Sequence, residues 1–198
     1  MDFSLKDLLL VVPAWTGAGV ALFGLRAWQR QLHGRENYDL ARRLLRATYR
    51  YRDAFQATRS PFSFEPATSV DGAASSAELQ RETWQRRWEP LEAVRRELRT
   101  ELVEAEVLYG AQHAERYQRL FQLEADLYQA VLEHLETLGA TPPESGDTPE
   151  RRKRRRATLY ARPNLSDDLS QALTAAVQGI EAVLRPLLLR PGKAVTKA

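Results

Sequence analysis

The chain has 198 residues, of which 43% are hydrophobic and 28% charged, a composition typical of a folded domain. Its 29 basic and 26 acidic residues leave a net charge of only +3, and it contains no cysteine. Disulfides, thiolate metal sites and cysteine nucleophiles are therefore excluded.

The N-terminal segment predicts a transmembrane helix within an anchor over residues 1–30. Residues 8–25 carry no charge and would cover about 27 Å as a helix, close to the roughly 30 Å of a hydrocarbon core. The alternative is a cleaved signal peptide, but such peptides begin with a basic region, and here Asp2 and Asp7 outnumber Lys6. The predicted lipid and interface contacts are Leu8, Leu9, Leu10, Val11, Val12, Trp15, Val20, Leu22, Phe23, Leu25 and Trp28.

The flanks of this span predict its orientation and a possible contact between copies. Basic residues follow the span at Arg26, Arg30 and Arg35, which places the rest of the chain in the cytoplasm and the N-terminus outside. Inside the span, Ala14, Gly17, Ala18 and Ala21 give small residues at four-residue spacing, which can let two helices approach closely in a homodimer. A plain lipid-facing anchor is the alternative, because Gly and Ala are frequent in such helices.

Apolar residues at three- and four-residue intervals predict four amphipathic helices beyond the anchor. They cover about residues 36–59, 77–109, 112–138 and 168–189, with Ser166 or Asp167 as the N-cap of the last. Pro90 predicts either a kink in the second helix or a start nearer Trp88. The predicted inward-facing residues are Leu40, Leu44, Ala47, Tyr51, Phe55, Trp84, Trp88, Leu91, Val94, Leu98, Leu102, Ala105, Tyr117, Leu120, Leu127, Val131, Leu135, Leu169, Leu173, Val177, Ile180 and Leu184.

No alternating pattern of strands appears, so the predicted fold is all-α. We expect an N-terminal transmembrane helix followed by a cytosolic antiparallel bundle of about four helices. The alternative is one long antiparallel hairpin of the second and third helices, with the others packed beside it. The predicted units are the anchor, three bundle helices over 31–138, a basic linker over 139–164, a final helix over 165–190 and a disordered tail over 191–198.

Charge is unevenly distributed along the chain. Residues 26–59 hold nine arginines against three acids, residues 77–138 hold thirteen acids against eight arginines, and residues 151–198 hold eleven bases against three acids. A basic surface can bind anionic lipid, nucleic acid, the acidic second and third helices of this chain or a protein partner, or it can simply be solvated. The candidate surface consists of Arg26, Arg30, Arg35, Arg42, Arg46, Arg50, Arg151, Arg152, Lys153, Arg154, Arg155 and Arg156.

The motifs of catalysis are missing from the sequence. A di-iron site in a helical bundle needs Glu-x-x-His, but Arg30, Gly110 and Val131 stand three residues before the three histidines. There is no phosphate-binding glycine loop, nucleophile elbow or zincin motif. We therefore predict a protein that is not an enzyme, with no catalytic, cofactor-binding or metal-binding residue and no cofactor.

Residues 38–55, with Leu44-Leu45, Tyr49 and Arg52-Asp53, and the following Arg59-Ser60-Pro61-Phe62 resemble a bacterial family of small membrane-anchored helical proteins. The resemblance covers about residues 25–62 and extends beyond them only to the layout of the helices. It implies a bacterial origin and hence the inner membrane. The family has no assigned activity, so the resemblance implies no function and no functional residue.

These patterns favour a single-pass membrane-anchored interaction or scaffold protein. It would bind a protein partner or a second copy of itself, with Trp84, Trp88 and the acidic second and third helices as the candidate partner surface. The alternative is a membrane-tethered nucleic-acid-binding protein that uses Arg42, Arg46, Arg50 and the basic run 151–156.

Overall fold

The computed structural model describes residues 35–60, 76–139, 148–162 and 164–189. Of these residues 91% are helical and none lies in a strand, so the all-α prediction is confirmed. The predicted anchor residues from Leu8 to Trp28, together with the predicted tail, lie outside the described residues.

The described helices match most of the predicted ones. The predicted helix over 112–138 is divided in two, because a turn at residues 116–117 interrupts it. One further helix lies inside the predicted linker, so that prediction is wrong for Pro149–Leu159. The helices are α1 over 35–59, α2 Ser76–Tyr109, α3 Ala111–Glu115, α4 Gln118–Gly139, α5 Pro149–Leu159 and α6 Asp168–Leu189.

One apolar face from each of α1, α2, α4 and α6 forms the main core. These faces repeat with the helical period of 3.6 residues, which is why the sequence pattern locates them. A smaller cluster of Trp84, Ala130, Val131 and Leu159 ties α5 to α2 and α4. The buried residues of the main core include Leu40, Leu44, Ala47, Tyr51, Phe55, Leu91, Leu98, Leu102, Ala105, Tyr117, Leu120, Leu123, Leu127, Leu173, Val177, Ile180 and Leu184.

Side-chain contacts fix the directions of the long helices. Residue numbers rise along α1 while those of its partners fall along α2, so the two helices are antiparallel. The contacts are Asn37 with Tyr109, Arg43 with Glu101, Arg50 with Glu97, and Thr58 with Arg87. The rings of Trp84 and Trp88 meet those of His134 and Tyr128 in the same antiparallel sense, which fixes α4 against α2.

The last helix runs antiparallel to α1. Arg59, at the end of α1, contacts Ser170 in the first turn of α6. Tyr49, ten residues earlier, has its hydroxyl beside Glu181 and Arg185 in the second half of α6. Thus α1 and α4 run one way, and α2 and α6 run the other.

The helices therefore have two distinguishable ends. We call them the Arg35 end, where α1 enters the described part of the chain and α2 and α6 finish, and the Arg59 end, where α1 finishes. The 24 residue steps of α1 between Arg35 and Arg59 correspond to about 36 Å along its axis. Helix α5 lies at the Arg59 end, because the side chain of Arg59 contacts its last turn.

Gly110 and Pro90 interrupt the regularity of α2 in different ways. Gly110 has φ +85° and ψ 166°, a conformation that is almost restricted to glycine, and it separates α2 from α3. Pro90 lies inside α2, which begins at Ser76, so the alternative start near Trp88 is wrong. The Thr58 hydroxyl lies 3.1 Å from the Arg87 carbonyl, close to where the proline lacks its N–H.

Among the described helices, α6 is long and apolar enough to cross a membrane, with a mean hydropathy of 1.4 over eighteen residues. The core helix of a soluble protein passes the same test. Leu173, Val177, Ile180 and Leu184 of α6 pack into the main core, as the sequence periodicity predicts.

Candidate functional site

Arg59 is the largest fully buried side chain, and it joins three helices at the Arg59 end. Its Nε donates to the Thr158 carbonyl at 2.7 Å and its Nη2 donates to the Ala157 carbonyl at 2.9 Å. These carbonyls belong to the last turn of α5, where the helix itself supplies no donor. The other contacts of the guanidinium are Ser170 Oγ at 2.9 Å and Asp167 Oδ1 at 2.8 Å.

Asp167 is the N-cap of α6, which confirms one of the two predicted caps. Its Oδ1 accepts a hydrogen bond from the Ser170 N–H at 3.0 Å, and its Oδ2 accepts from the Ser170 hydroxyl at 2.8 Å. The Arg162 N–H also donates to Oδ2, at 3.2 Å. We call Arg59, Ala157, Thr158, Asp167 and Ser170 the Arg59 network.

The electrostatics of the network favour the ionised carboxylate. Burial alone raises the pKa of Asp167, because it removes the charge from water. Hydrogen bonds from Arg59 and Ser170, together with the positive charge of Arg59, outweigh burial and lower the pKa to about 2. The ion pair is therefore present at neutral pH, and it fixes the end of α5 against the start of α6.

The basic run 151–156 is helical because α5 is held at both ends. Its N-cap is Thr148, whose hydroxyl oxygen accepts from the Arg151 N–H at 3.2 Å, and Pro149 occupies the first helical position. Leu159 packs beneath the last turn, and Arg59 satisfies two of its carbonyls. The sequence contains a helix start signal, Thr148-Pro149-Glu150. Repulsion among the six adjacent bases that follow argues against a helix when the caps are ignored.

The bases of α5 divide into two faces. Arg151, Arg154 and Arg155 line a groove of about 750 Å³ between α4, α5 and α6. The same groove is lined by acids, which include Asp126 and Glu133. The face turned away from the groove, which we call the outward face, consists of Arg152, Lys153 and Arg156, and all three are exposed.

Lys153 and Arg156 make no ion pair with any residue that the structure describes. Among the eleven residues of α5 there are six bases and one acid, Glu150. Lys153 and Arg156 therefore carry positive charge that neighbouring described acids do not neutralise.

The arginines of α1 form a separate basic surface. Arg35, Arg42, Arg46 and Arg50 are exposed, as a solvent-facing stripe requires, whereas Arg26 and Arg30 lie outside the described residues. Arg50 is partly neutralised by Glu97 at 2.7 Å. Thirteen residue steps, or about 20 Å of helix, separate Arg46 from Arg59. The two groups of bases that the sequence suggests as one surface thus lie on different parts of the molecule.

The two predicted partner residues have different environments. Trp84 is buried with 3% exposure, between Val131, Leu159 and Tyr160, so its ring is part of a core and the prediction of a partner surface is wrong for it. Trp88 is half-buried, and its ring packs on that of Tyr128 with centroids 5.2 Å apart. Trp88 therefore remains a candidate surface residue.

Buried polar groups at Glu124 form a second network that the sequence does not reveal. The Tyr51 hydroxyl donates to Glu124 Oε2 at 2.7 Å, and Arg95 donates to Oε1 at 2.9 Å. Burial, and then the charge of Glu124, raise the pKa of Tyr51 far above its ordinary value. The hydroxyl thus stays protonated as a donor, which suits a structural role.

No group of three or more His, Cys, Asp or Glu side chains that could hold a metal ion occurs in the described part of the chain. Burial lowers the pKa of His134, whose ring packs edge-on against Trp84. The candidate functional features are therefore the α5 bases, the α1 bases and the surface around Trp88.

Comparison with protein-family models, curated proteins and solved structures finds no match to this chain. The resemblance to a bacterial membrane-anchored family, carried by residues 38–62, accordingly stays a prediction.

Proposed function

We propose that the chain is a single-pass membrane-anchored interaction protein of a bacterial inner membrane. Residues 1–30 would span the bilayer with the N-terminus outside. The helices α1 to α6 would form a cytoplasmic bundle that binds a protein partner or a second copy of the chain. The proposal includes no catalytic activity and no cofactor.

The observation that carries the interaction role is an apolar groove of about 590 Å³ between α2 and α4. It is lined by Trp88, Tyr128, Leu132 and Leu135, and Tyr128 and Leu132 remain 48% and 37% exposed. Charged residues, including Arg81, Glu89, Glu92 and Arg96, also line this groove. Protein interfaces combine exposed aromatic and aliphatic side chains with polar ones in this way.

The Arg35 end supports attachment to a membrane. Only nine residues, 26–34, separate the last residue of the predicted span, Leu25, from Arg35. Arg42 and Arg46 are exposed on the same half of α1, where a basic residue gains roughly 1 kcal/mol from a nearby anionic leaflet. Val103 and Val107, which are 64% and 80% exposed, lie near the end of α2 and offer apolar surface to a second copy beside the membrane.

Photocrosslinking in intact membranes tests the groove. A photoreactive amino acid replaces Leu132 in the groove of the full-length protein, and Gln122 serves as the control, because it is exposed on α4 and does not line the groove. We expect a discrete crosslinked product from position 132 and none from position 122. Equal labelling at both positions, or none at 132, would contradict the interaction role.

Fractionation tests the anchor in the same cells. We expect the protein to resist carbonate extraction and to be protected from protease added to spheroplasts. A soluble or periplasmic product that lacks its first residues would instead identify the N-terminal segment as a signal peptide.

A further inference from the structure

We propose that the outward face of α5 binds the phosphate backbone of double-stranded nucleic acid without regard to its sequence. The inference names a second partner for the membrane-anchored protein, and it rests on that proposed function for its place in the cell. The binding itself depends on the residues of α5 and not on the anchor.

The first argument is that the bases are held in a fixed geometry. The Thr148 cap and the Arg59 network fix both ends of α5, so Lys153 and Arg156 stand three residues apart on one helical face. Because the helix exists before any ligand arrives, binding does not have to supply the cost of ordering the backbone.

The second argument is the density of charge. Six bases and one acid on eleven residues give α5 a net charge of +5 within about 16 Å of helix. Of these bases, Lys153 and Arg156 neither line the acidic groove nor pair with a described residue, and double-stranded DNA, with one negative charge per roughly 1.7 Å of axis, offers phosphates to both. Guanidinium groups also fit phosphate oxygens in a bidentate manner.

The position of α5 disfavours the membrane as its ligand. The helix lies at the Arg59 end, about 36 Å along α1 from Arg35, the first described residue after the predicted anchor. The Debye length at physiological salt is about 8 Å. When α1 points away from the membrane, the attraction between α5 and the anionic leaflet is therefore screened over the roughly 36 Å of α1.

The chemistry of the outward face favours double-stranded nucleic acid over a protein partner and over single-stranded nucleic acid. It consists of Arg152, Lys153 and Arg156, with exposed Pro149 one turn before Lys153, and it lacks the aromatic and aliphatic centre of a protein interface. Single strands require aromatic rings for base stacking, but the nearby ring of Tyr160 packs against Trp84 with centroids 5.9 Å apart. Contacts from basic side chains to phosphate oxygens carry no sequence information, so we expect sequence-independent binding.

The test measures binding of full-length protein, in nonionic detergent, to fluorescent 20-base-pair DNA duplexes of two unrelated sequences. Two phosphate contacts, from Lys153 and Arg156, predict that affinity falls about 12-fold between 50 and 200 mM salt. The outward-face variant K153Q/R156Q removes both contacts and should lose this salt-dependent binding. The matched control is R151Q/R154Q, which removes the same charge from the groove-facing side of α5 and should keep a slope nearer that of the unchanged protein.

Several outcomes would overturn the inference. The first is an absence of duplex binding at 50 mM salt. The second is an equal loss of duplex affinity in the two double variants while both keep their helical content. The third is that polyglutamate or phosphatidylglycerol vesicles displace the labelled duplex as effectively as unlabelled duplex does. Membrane fractionation of the same protein separates the two proposals. Duplex binding by a protein that does not fractionate with membranes refutes only the anchor, and a membrane-bound protein that ignores DNA refutes only this inference.

Discussion

Arg59 and Asp167 are 108 positions apart in the sequence, and their side chains meet at 2.8 Å in the interior with 0% and 7% exposure. A buried ion pair gains stability only when its remaining donors and acceptors are satisfied, and here the backbone of α5 and the cap of α6 satisfy them. The pair therefore connects three helix ends through one guanidinium.

Removal of this guanidinium should destabilise the protein strongly. We expect Arg59→Met to lower the free energy of unfolding by about 3–5 kcal/mol, because Asp167 loses its cation and the carbonyls of Ala157 and Thr158 lose their donors. Urea unfolding of the full-length protein in detergent, followed by circular dichroism, measures the change. Arg42→Met on the same helix is the control and should change stability by less than about 0.5 kcal/mol, since Arg42 is exposed. Similar losses in both variants would refute the role of the network.

The same pair predicts a dependence of stability on pH. The pKa of Asp167 is about 2 in the folded protein and 3.8 ordinarily, so folding favours the ionised form. This stabilisation is present above about pH 4 and is lost as the pH falls towards 2, in total about 2 kcal/mol. The difference in unfolding free energy between the unchanged protein and Asp167→Asn should therefore shrink from pH 5 to pH 2. A difference that stays constant over this range would contradict the assigned pKa.

Two glycines should respond oppositely to alanine. Gly110 has φ +85°, so Gly110→Ala should cost about 1–3 kcal/mol although nothing crowds the new Cβ. Gly179 is exposed inside α6 and also has space for a Cβ, so Gly179→Ala should stabilise the protein by about 0.5–1 kcal/mol. Thermal unfolding of the two variants side by side checks both signs. A loss of stability in Gly179→Ala would indicate that α6 has another contact at that position.

The hydrogen bond from the Tyr51 hydroxyl to the carboxylate of Glu124 should contribute to the stability of the fold. Tyr51→Phe removes the hydrogen bond to the buried Glu124 and should cost about 1.5–3 kcal/mol in urea unfolding. Tyr128→Phe is the matched control on the exposed surface of α4, and we expect no measurable change from it. Equal effects would show that the hydroxyl of Tyr51 adds nothing beyond its ring.

The helical periodicity predicts most of the core because each long helix turns one apolar face inward. Leu40, Leu44, Tyr51 and Phe55 are buried as their spacing requires, and so are Leu173, Val177 and Ile180. Periodicity predicts that Trp84 faces inward, which the structure confirms, but it cannot distinguish a core residue from one on a partner surface, so the additional assignment of Trp84 to a partner surface is wrong.

The network around Arg59 could not be predicted for a different reason. In the sequence Arg59 is one arginine among nine between residues 26 and 59, and no local pattern marks the one that is buried. Its partners come from α5 and α6, about 100 positions later, so only the packing of the helices brings them together. Helix α5 was missed because its cap signal is short and its apolar content is almost confined to Leu159.

The guanidinium of Arg59 also couples the local unfolding of α5 to that of the first turn of α6. With Leu159 as its one buried side chain among the described residues, a helix of this length would exchange its amide hydrogens rapidly by fraying. Since Arg59 holds the last turn of α5 and the first turn of α6 together, release of α5 also uncovers the Asp167 cap. The amides of α5 and those of the first turn of α6 should therefore exchange with a common opening free energy, as a single cooperative unit.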